Sequence, residues 1–302
     1  MMSTMPFYIQ GVSIREIFME DNNMKKLLAA LLSLLLVCSV CSLVACSKED
    51  ESLEGAITNY AETTTYDVKD PNGRILGTLS YKAKGTDYAT ITGYTPRVSG
   101  LHSITIPEIL PGSERTVVEI GEQAFRACTS LVSVTLPDTV EKIGDWAFAL
   151  CSSMYQVNIP ANVEGIGKST FVGCESLTIV NFANENPLLT EIGDHAFHGC
   201  TSLSDIKLPE GLVVLGQGVF FDCSALETAT LPQSLVTIGG SAFANCDSLK
   251  VLTLGSNIES LGQYALGSLA SDKPEVLVYE AGSTTDKTIN KIANEKPEEN
   301  GK

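Results

Sequence analysis

Six cysteines, Cys128, Cys151, Cys174, Cys200, Cys223 and Cys246, recur at intervals of 23, 23, 26, 23 and 23 residues. A fixed period in this range means a solenoid, in which each repeat is one structural turn. Such a chain offers a long surface rather than a deep pocket. The functional question is therefore one of recognition.

Other columns keep step with the cysteines. Ile-Gly or Leu-Gly begins each unit, at Ile120, Ile143, Ile166, Ile192, Leu215, Ile238 and Leu261. An aromatic follows at Phe125, Phe148, Phe171, Phe197, Phe220 and Phe243, and Leu266 ends the series. Past each cysteine come a large apolar residue (Leu131, Met154, Leu177, Leu203, Leu226, Leu249), alternating apolar positions and often a proline. Alternation predicts a short strand with Leu131, Val134 and Leu136 inward, and proline ends its ladder because it has no N–H. The glycine after each Ile or Leu is expected to allow a turn that a side chain would obstruct. The Ala-Phe segment is expected to form a short helical or 3₁₀ turn with phenylalanine as the core plug. Leu101–Pro107 fits the strand pattern as an earlier, imperfect repeat.

The unit Ile-Gly-x-x-Ala-Phe-x-x-Cys-x-x-Leu-x-x-Val-x-Leu-Pro resembles the BspA-like leucine-rich repeat family of bacterial surface proteins, over roughly residues 101–270. The resemblance implies an α/β solenoid: a right-handed leucine-rich-repeat coil with a parallel β-sheet on one face and short turns on the other. It also implies adhesion to host matrix proteins and other surfaces. The family has no fixed set of binding residues to carry over.

The formal net charge of −16 repels phosphate backbones and anionic headgroups, so nucleic acid is not an expected partner. Met24-Lys25-Lys26, the apolar run Leu27–Ala45 and Leu43-Val44-Ala45-Cys46 read as a lipoprotein signal, with Cys46 the lipid-modified residue. The competing reading is an uncleaved membrane span. Residues 1–23 read as an over-extended start and 24–45 as the signal peptide. Ser47-Lys48-Glu49-Asp50-Glu51 is similar to the acid-rich signal of Bacteroidetes lipoproteins sent to the outer face; it also fits a plain solvated linker. Contact with the membrane is expected through the lipid anchor only, in the outer membrane and exposed at the cell surface.

Residues 46–73 are expected to be a flexible tether and 74–100 a β capping region, a hairpin turning at Gly85-Thr86-Asp87. Repeats with a closing strand at Val276-Leu277-Val278 occupy 101–280, and 281–302 reads as a disordered polar tail.

Cysteines stacked at strand spacing point the same way, which suits a disulfide poorly and a tetrahedral metal site less. A column of buried thiols is the reading favoured over both. His195 and His198 flank Phe197, at positions that vary between repeats, and read as solvated surface residues; His102 has no evident partner. Glu119, Glu141, Glu164, Glu191 and Glu259 read as a solvated acidic edge rather than a cation row, since their column shifts by one between repeats. No nucleophile elbow, metalloprotease helix, phosphate loop or dinucleotide fingerprint occurs, and neither cofactor nor metal is expected.

The outward positions of the sheet are the candidate binding face: Ser133, Thr135, Gln156, Asn158, Asn181, Asp205, Lys207, Thr228, Thr230 and Thr253, interspersed with Ile179 and Val251, and with Tyr155 at the edge. They are short and mostly uncharged, fit to hydrogen-bond a protein or a glycan, although hydroxyl residues also simply suit exposed strands. Asn184-Glu185-Asn186-Pro187 lies in the one repeat with three extra residues, and solenoid insertions map to loops. Two functions are carried forward. One is a non-enzymatic, surface-anchored binding protein that adheres to host matrix or cell-surface proteins. The other is an accessory lipoprotein of an outer-membrane complex that takes up peptides or glycans.

Overall fold

The computed structural model describes residues 64–183, 188–267 and 276–294, all within the unit Tyr60–Lys302. Cys46, the signal segment and Asn184–Pro187 lie outside the described residues.

Each repeat contributes two strands and a pair of turns. The longer strands are β4 (His102–Thr105), β7 (Leu131–Thr135), β9 (Gln156–Ile159), β11 (Ile179–Phe182), β13 (Asp205–Lys207), β15 (Thr228–Thr230), β17 (Val251–Thr253) and β19 (Val276–Val278). They build two parallel four-stranded sheets, β4-β7-β9-β11 and β13-β15-β17-β19. The expected single sheet is therefore interrupted in the repeat with the insertion.

Two-residue strands at the Ile-Gly column form a second ladder, continuous from end to end: β8 (Lys142–Ile143), β10 (Gly165–Ile166), β12 (Glu191–Ile192), β14 (Val214–Leu215), β16 (Thr237–Ile238) and β18 (Ser260–Leu261). At its start β8 pairs with β6 (Arg115–Ile120), which β5 (Ile109–Leu110) also joins. β6 pairs in parallel with β3 (Tyr88–Pro96), the last strand of an antiparallel meander with β1 (Thr64–Lys69) and β2 (Ile75–Lys84). Within residues 74–100, β2 and β3 form an antiparallel pair. A third strand, β1, lies in a stretch read as tether and satisfies the outer edge of β2.

The column glycines owe their identity to stacking. A Cβ on Gly144, Gly167, Gly193, Gly216, Gly239 or Gly262 would lie 2.2–2.9 Å from backbone atoms of the preceding turn. Among these six, none has the positive φ that would make backbone freedom the reason.

The Ala-Phe segment is not helical. The unit instead makes successive tight turns, as in Ala147 N–H to Gly144 O (3.3 Å), Ala149 N–H to Trp146 O (3.1 Å) and Cys151 N–H to Phe148 O (3.2 Å). Alternate amides point along the stack instead. Gln123, Phe125 and Ala127 donate to the carbonyls of Asp145, Ala147 and Ala149 one turn on, at 2.7–3.0 Å. A helix would commit those hydrogens within its own turn, so the ladder between repeats and the helix exclude each other. The alternation requires two left-handed residues per repeat. Trp146 and Leu150 have φ of 58° and 60°, and Gly173 and Gly199, in the column of Leu150, have 68° and 72°.

The core is one aromatic pile. Tyr94 of the cap stacks on Phe125, and Phe125, Phe148, Phe171, Phe197, Phe220 and Phe243 follow at centroid spacings of 5.0–5.5 Å. Tyr94 lies so close over Gly77 that a Cβ there would meet its ring at 2.3 Å. Beside the pile runs the column of six buried cysteines, which form no disulfides. Each thiol from Cys151 to Cys246 donates to the carbonyl of the phenylalanine one turn back, at 3.1–3.4 Å. Cys128 does so more loosely to Tyr94 O at 4.0 Å.

The far end is closed by α1 (Thr284–Asn294), within the stretch expected to be disordered. The reason is a buried threonine. Thr285 Oγ1 donates to Gly255 O at 2.5 Å and accepts from Ile258 N–H at 3.0 Å, and Thr288 Oγ1 donates to Ile258 O at 2.9 Å. These groups would otherwise be left unpaired on the last turn of the coil.

Candidate binding face

Every candidate residue of the sheet lies on a strand of the two four-stranded sheets or, for Tyr155, immediately before β9. Parallel pairing stacks them in two columns. Ser133 aligns with Gln156, and Gln156 with Ile179; Asn158 aligns with Asn181. Beyond the break Asp205, Thr228 and Val251 form one column and Lys207, Thr230 and Thr253 the other. Thr135, Asn158, Asn181, Asp205, Lys207 and Tyr155 are exposed, and the remaining candidates are half-buried.

The side chains bond along the columns. Asn181 Nδ2 donates to Asn158 Oδ1 at 2.9 Å, and Gln156 Nε2 reaches the same oxygen at 3.1 Å. Thr228 Oγ1 donates to Asp205 Oδ1. Ser133 Oγ donates to Ser103 Oγ at 2.8 Å, which extends the face onto β4 and adds Ser103 and, in the column of Thr135, the exposed Thr105. The imperfect repeat at Leu101–Pro107 carried that signal, since its strand pattern places Ser103 and Thr105 outward. Lys250 and Glu227 form an ion pair at the rim, 3.0 Å apart and both about half exposed. The face is thus a grid of hydroxyls and amides with few charges. It can donate and accept hydrogen bonds along the strands.

The other candidates behave differently. His195 and His198 are half-buried rather than solvated. Their rings are 5.6 Å apart, and His198 Nε2 lies 3.5 Å from Asp222 Oδ2. His195 leans over Gly218, where a Cβ would meet Nδ1 at 2.5 Å. That leaves Nδ1 buried with no hydrogen-bond partner. Asp194 next to it is held below the usual carboxylate range, first by the Gln217 amide and then by Lys168. His102 does have partners: Tyr94 Oη at 2.9 Å from Nε2, and Gly100 O at 3.0 Å from Nδ1. The carbonyl can only accept, so Nδ1 carries the proton and Nε2 accepts from the tyrosine.

The glutamates do not form one row. Glu119 and Glu191 share a column with Lys142 and Gly165, while Glu141, Glu164 and Glu259 stand one position earlier in their repeats. Glu119 is neutralised by Lys84 at 3.1 Å and Lys142 at 3.7 Å. Among the described residues no group of three or more His, Cys, Asp or Glu side chains is placed to hold a metal ion. Burial pushes the thiols up, Cys128 to about 11 and Cys174 to about 12, with Cys151, Cys200 and Cys223 also raised. They are inert protonated groups rather than nucleophiles. Among the described residues no helix is long and apolar enough to cross a membrane.

A parallel coil with this turn chemistry is a leucine-rich repeat solenoid. The BspA-type leucine-rich repeat region matches residues 97–188 and 184–273, with six copies, and the chain belongs to that family. Among solved structures it is similar to a T. pallidum leucine-rich repeat protein, at 29% identity over 72% of this chain and 94% of that one, with a TM-score of 0.60. It is also similar to a leucine-rich repeat protein of Bacteroides ovatus (29% identity, 62% of this chain and 55% of that one, TM-score 0.55). A third is a leucine-rich cell surface protein of Faecalibacterium prausnitzii (31%, 70% and 56%, TM-score 0.53). The chain thus spans little more than half of the last two. No curated protein matches it.

Proposed function

We propose that this is a non-enzymatic binding protein, held on the cell surface by a lipid on Cys46, whose sheet face adheres to host matrix or cell-surface proteins. The observation that carries the reading is the grid of outward hydroxyl and amide side chains on the two parallel sheets. A leucine-rich repeat coil is built to present such a surface, and the F. prausnitzii relative is described as a cell surface protein. With few charges on the face, recognition runs through hydrogen bonds and shape.

The test has two arms. Protease added to intact cells should remove the protein, and palmitate labelling should be lost in Cys46→Ala. The full chain should then bind immobilised matrix proteins, mucins or glycans saturably, and a variant with Asn158, Asn181 and Thr228 changed to tryptophan should lose that binding. Protection from the protease would sink surface display. Binding that survives the triple change would move the site off the sheet face.

A further inference from the structure

The interruption between β11 and β13 opens two strand edges toward each other. Among the described residues no ladder joins them. The short-strand ladder continues past this point, as β12 pairs with both β10 and β14, and Phe171 still stacks on Phe197 at 5.1 Å. The repeats are therefore in step on one side of the coil; on the sheet side Ser202 N–H still donates to Glu175 O at 3.1 Å, and pairing is lost beyond it, between β11 and β13.

Alternate residues of a parallel strand bond to opposite neighbours. Thr228 N–H donates to Ser204 O and Leu208 N–H to Thr230 O, so Ile206, between them in the alternation, is also committed to β15. The backbone groups of Asp205 and Lys207 face the break. On the other side Ile179 N–H donates to Tyr155 O, so the groups of Val180 and Phe182 face it.

Burial marks the same place independently. Val180 stands in the column of Val134, Val157, Ile206, Ala229 and Leu252, all at most 2% exposed. Phe182 stands in the column of Leu136, Ile159, Leu208, Leu231 and Leu254, all at most 7% exposed. Val180 and Phe182 are half-buried, as are Leu277 and Tyr279 on the last turn of the same two columns, where the stack ends. The core column is laid open where the backbone ladder is missing.

We propose that the break between β11 and β13 is a β-strand addition site, which takes an extended peptide segment of a partner protein. The peptide backbone bonds to the open edges of Val180 and Phe182 on one side and Asp205 and Lys207 on the other. An apolar side chain of the peptide covers Val180 and Phe182, and its alternate, polar side chains join the outward grid. The inference rests on the reading of the protein as a binding protein and names its partner class as an extended peptide, since strand addition draws affinity from the main chain and specificity from alternate side chains.

The test uses the full chain in detergent and a display library of random dodecapeptides. Selected peptides should alternate apolar and polar residues. They should slow hydrogen exchange at the amides of Val180, Asp205 and Lys207. Lys207→Pro removes one edge donor and leaves the bonds to β15 intact; Phe182→Lys puts a charge on the apolar floor. Each should weaken peptide binding about tenfold or more, with circular dichroism unchanged. If matrix proteins fail to bind while peptides protect these amides, adhesion fails and the strand site stands. Peptides that bind wild type and slot variants equally overturn the proposal, as does a library that yields none. Amides already protected in the free chain overturn it too: release on deleting residues 295–302 would make the occupant the chain's own tail, and release on dilution a second copy.

Discussion

Phe171 sits in the middle of the aromatic pile, between Phe148 at 5.4 Å and Phe197 at 5.1 Å. Phe171→Ala removes a fully buried ring and both stacks, and should cost about 3–5 kcal/mol in urea unfolding. The thiols beside it make stability depend on alkali. Their folded values lie above the ordinary 9.0, up to about 11 for Cys128 and about 12 for Cys174. The unfolded chain therefore loses protons first as pH rises past 9. The contribution is intact below that point and is lost toward 11–12. The urea midpoint should fall between pH 9 and 11, and less so in Cys174→Ala than in wild type. The left-handed turn positions make a third residue-scale case. Ala127 is exposed and held at φ 59°, so Ala127→Gly should raise stability by about 1 kcal/mol, read as a higher urea midpoint. Gly173→Ala should do the reverse, since its Cβ would also meet Leu150 Cδ2 at 2.8 Å.

Strands were readable from the sequence because their signal is side-chain alternation, and the inward and outward positions of β9, β13 and β15 follow from it; in β7 Leu131 and Val134 are both buried three residues apart, across a register irregularity that alternation does not show. The turns were not, because what excludes a helix there is the direction of backbone amides, which leaves no mark on hydrophobic pattern. A trace did exist: Gly173, Gly199, Gly218, Asp222 and Asn245 fill left-handed positions with the residue types that tolerate them. Helix α1 was hidden by its polar composition, yet Ser283-Thr284-Thr285-Asp286 is a capping box. Asp286 N–H donates to Ser283 Oγ at 3.1 Å, and Gly282 N–H to Asp286 Oδ2 at 2.8 Å. Burial of Thr285 makes this element a plug rather than a tail. Thr285→Val keeps the shape and orphans Gly255 O and Ile258 N–H, at a cost of about 1–3 kcal/mol. Amide exchange at Ile258 should accelerate before that of any residue in β7 or β9.

At the scale of the whole coil, the binding face and its weak point are one feature. Alternation located the face, but the break in it depends on how a 26-residue interval is absorbed, and the spacing shows only that something must give. The structure gives way in the sheet ladder and keeps the short-strand ladder and the aromatic pile. Coupling between the cap-side block ending at β11 and the block from β13 to α1 therefore runs through the β10–β12 pair, the Phe171–Phe197 stack and the turn amides of Ser169, Phe171 and Gly173, which donate to Asp194, Ala196 and His198 at 2.7–2.8 Å. In a repeat coil, stability is a sum of repeat terms and nearest-neighbour interfaces, and cooperativity fails where one interface is thin. Phe148→Ala and Phe197→Ala delete the same buried ring and should cost the same about 3–5 kcal/mol locally. Their effect on cooperativity should differ. Phe148→Ala leaves a paired sheet around the lesion, between β7 and β9 and between β9 and β11, so unfolding stays a single transition. Phe197→Ala cuts a main tie across the break, and urea unfolding followed by amide exchange should resolve into two steps divided between β11 and β13. A single transition in both variants would mean that the short-strand ladder and the turn amides couple the blocks without the stack.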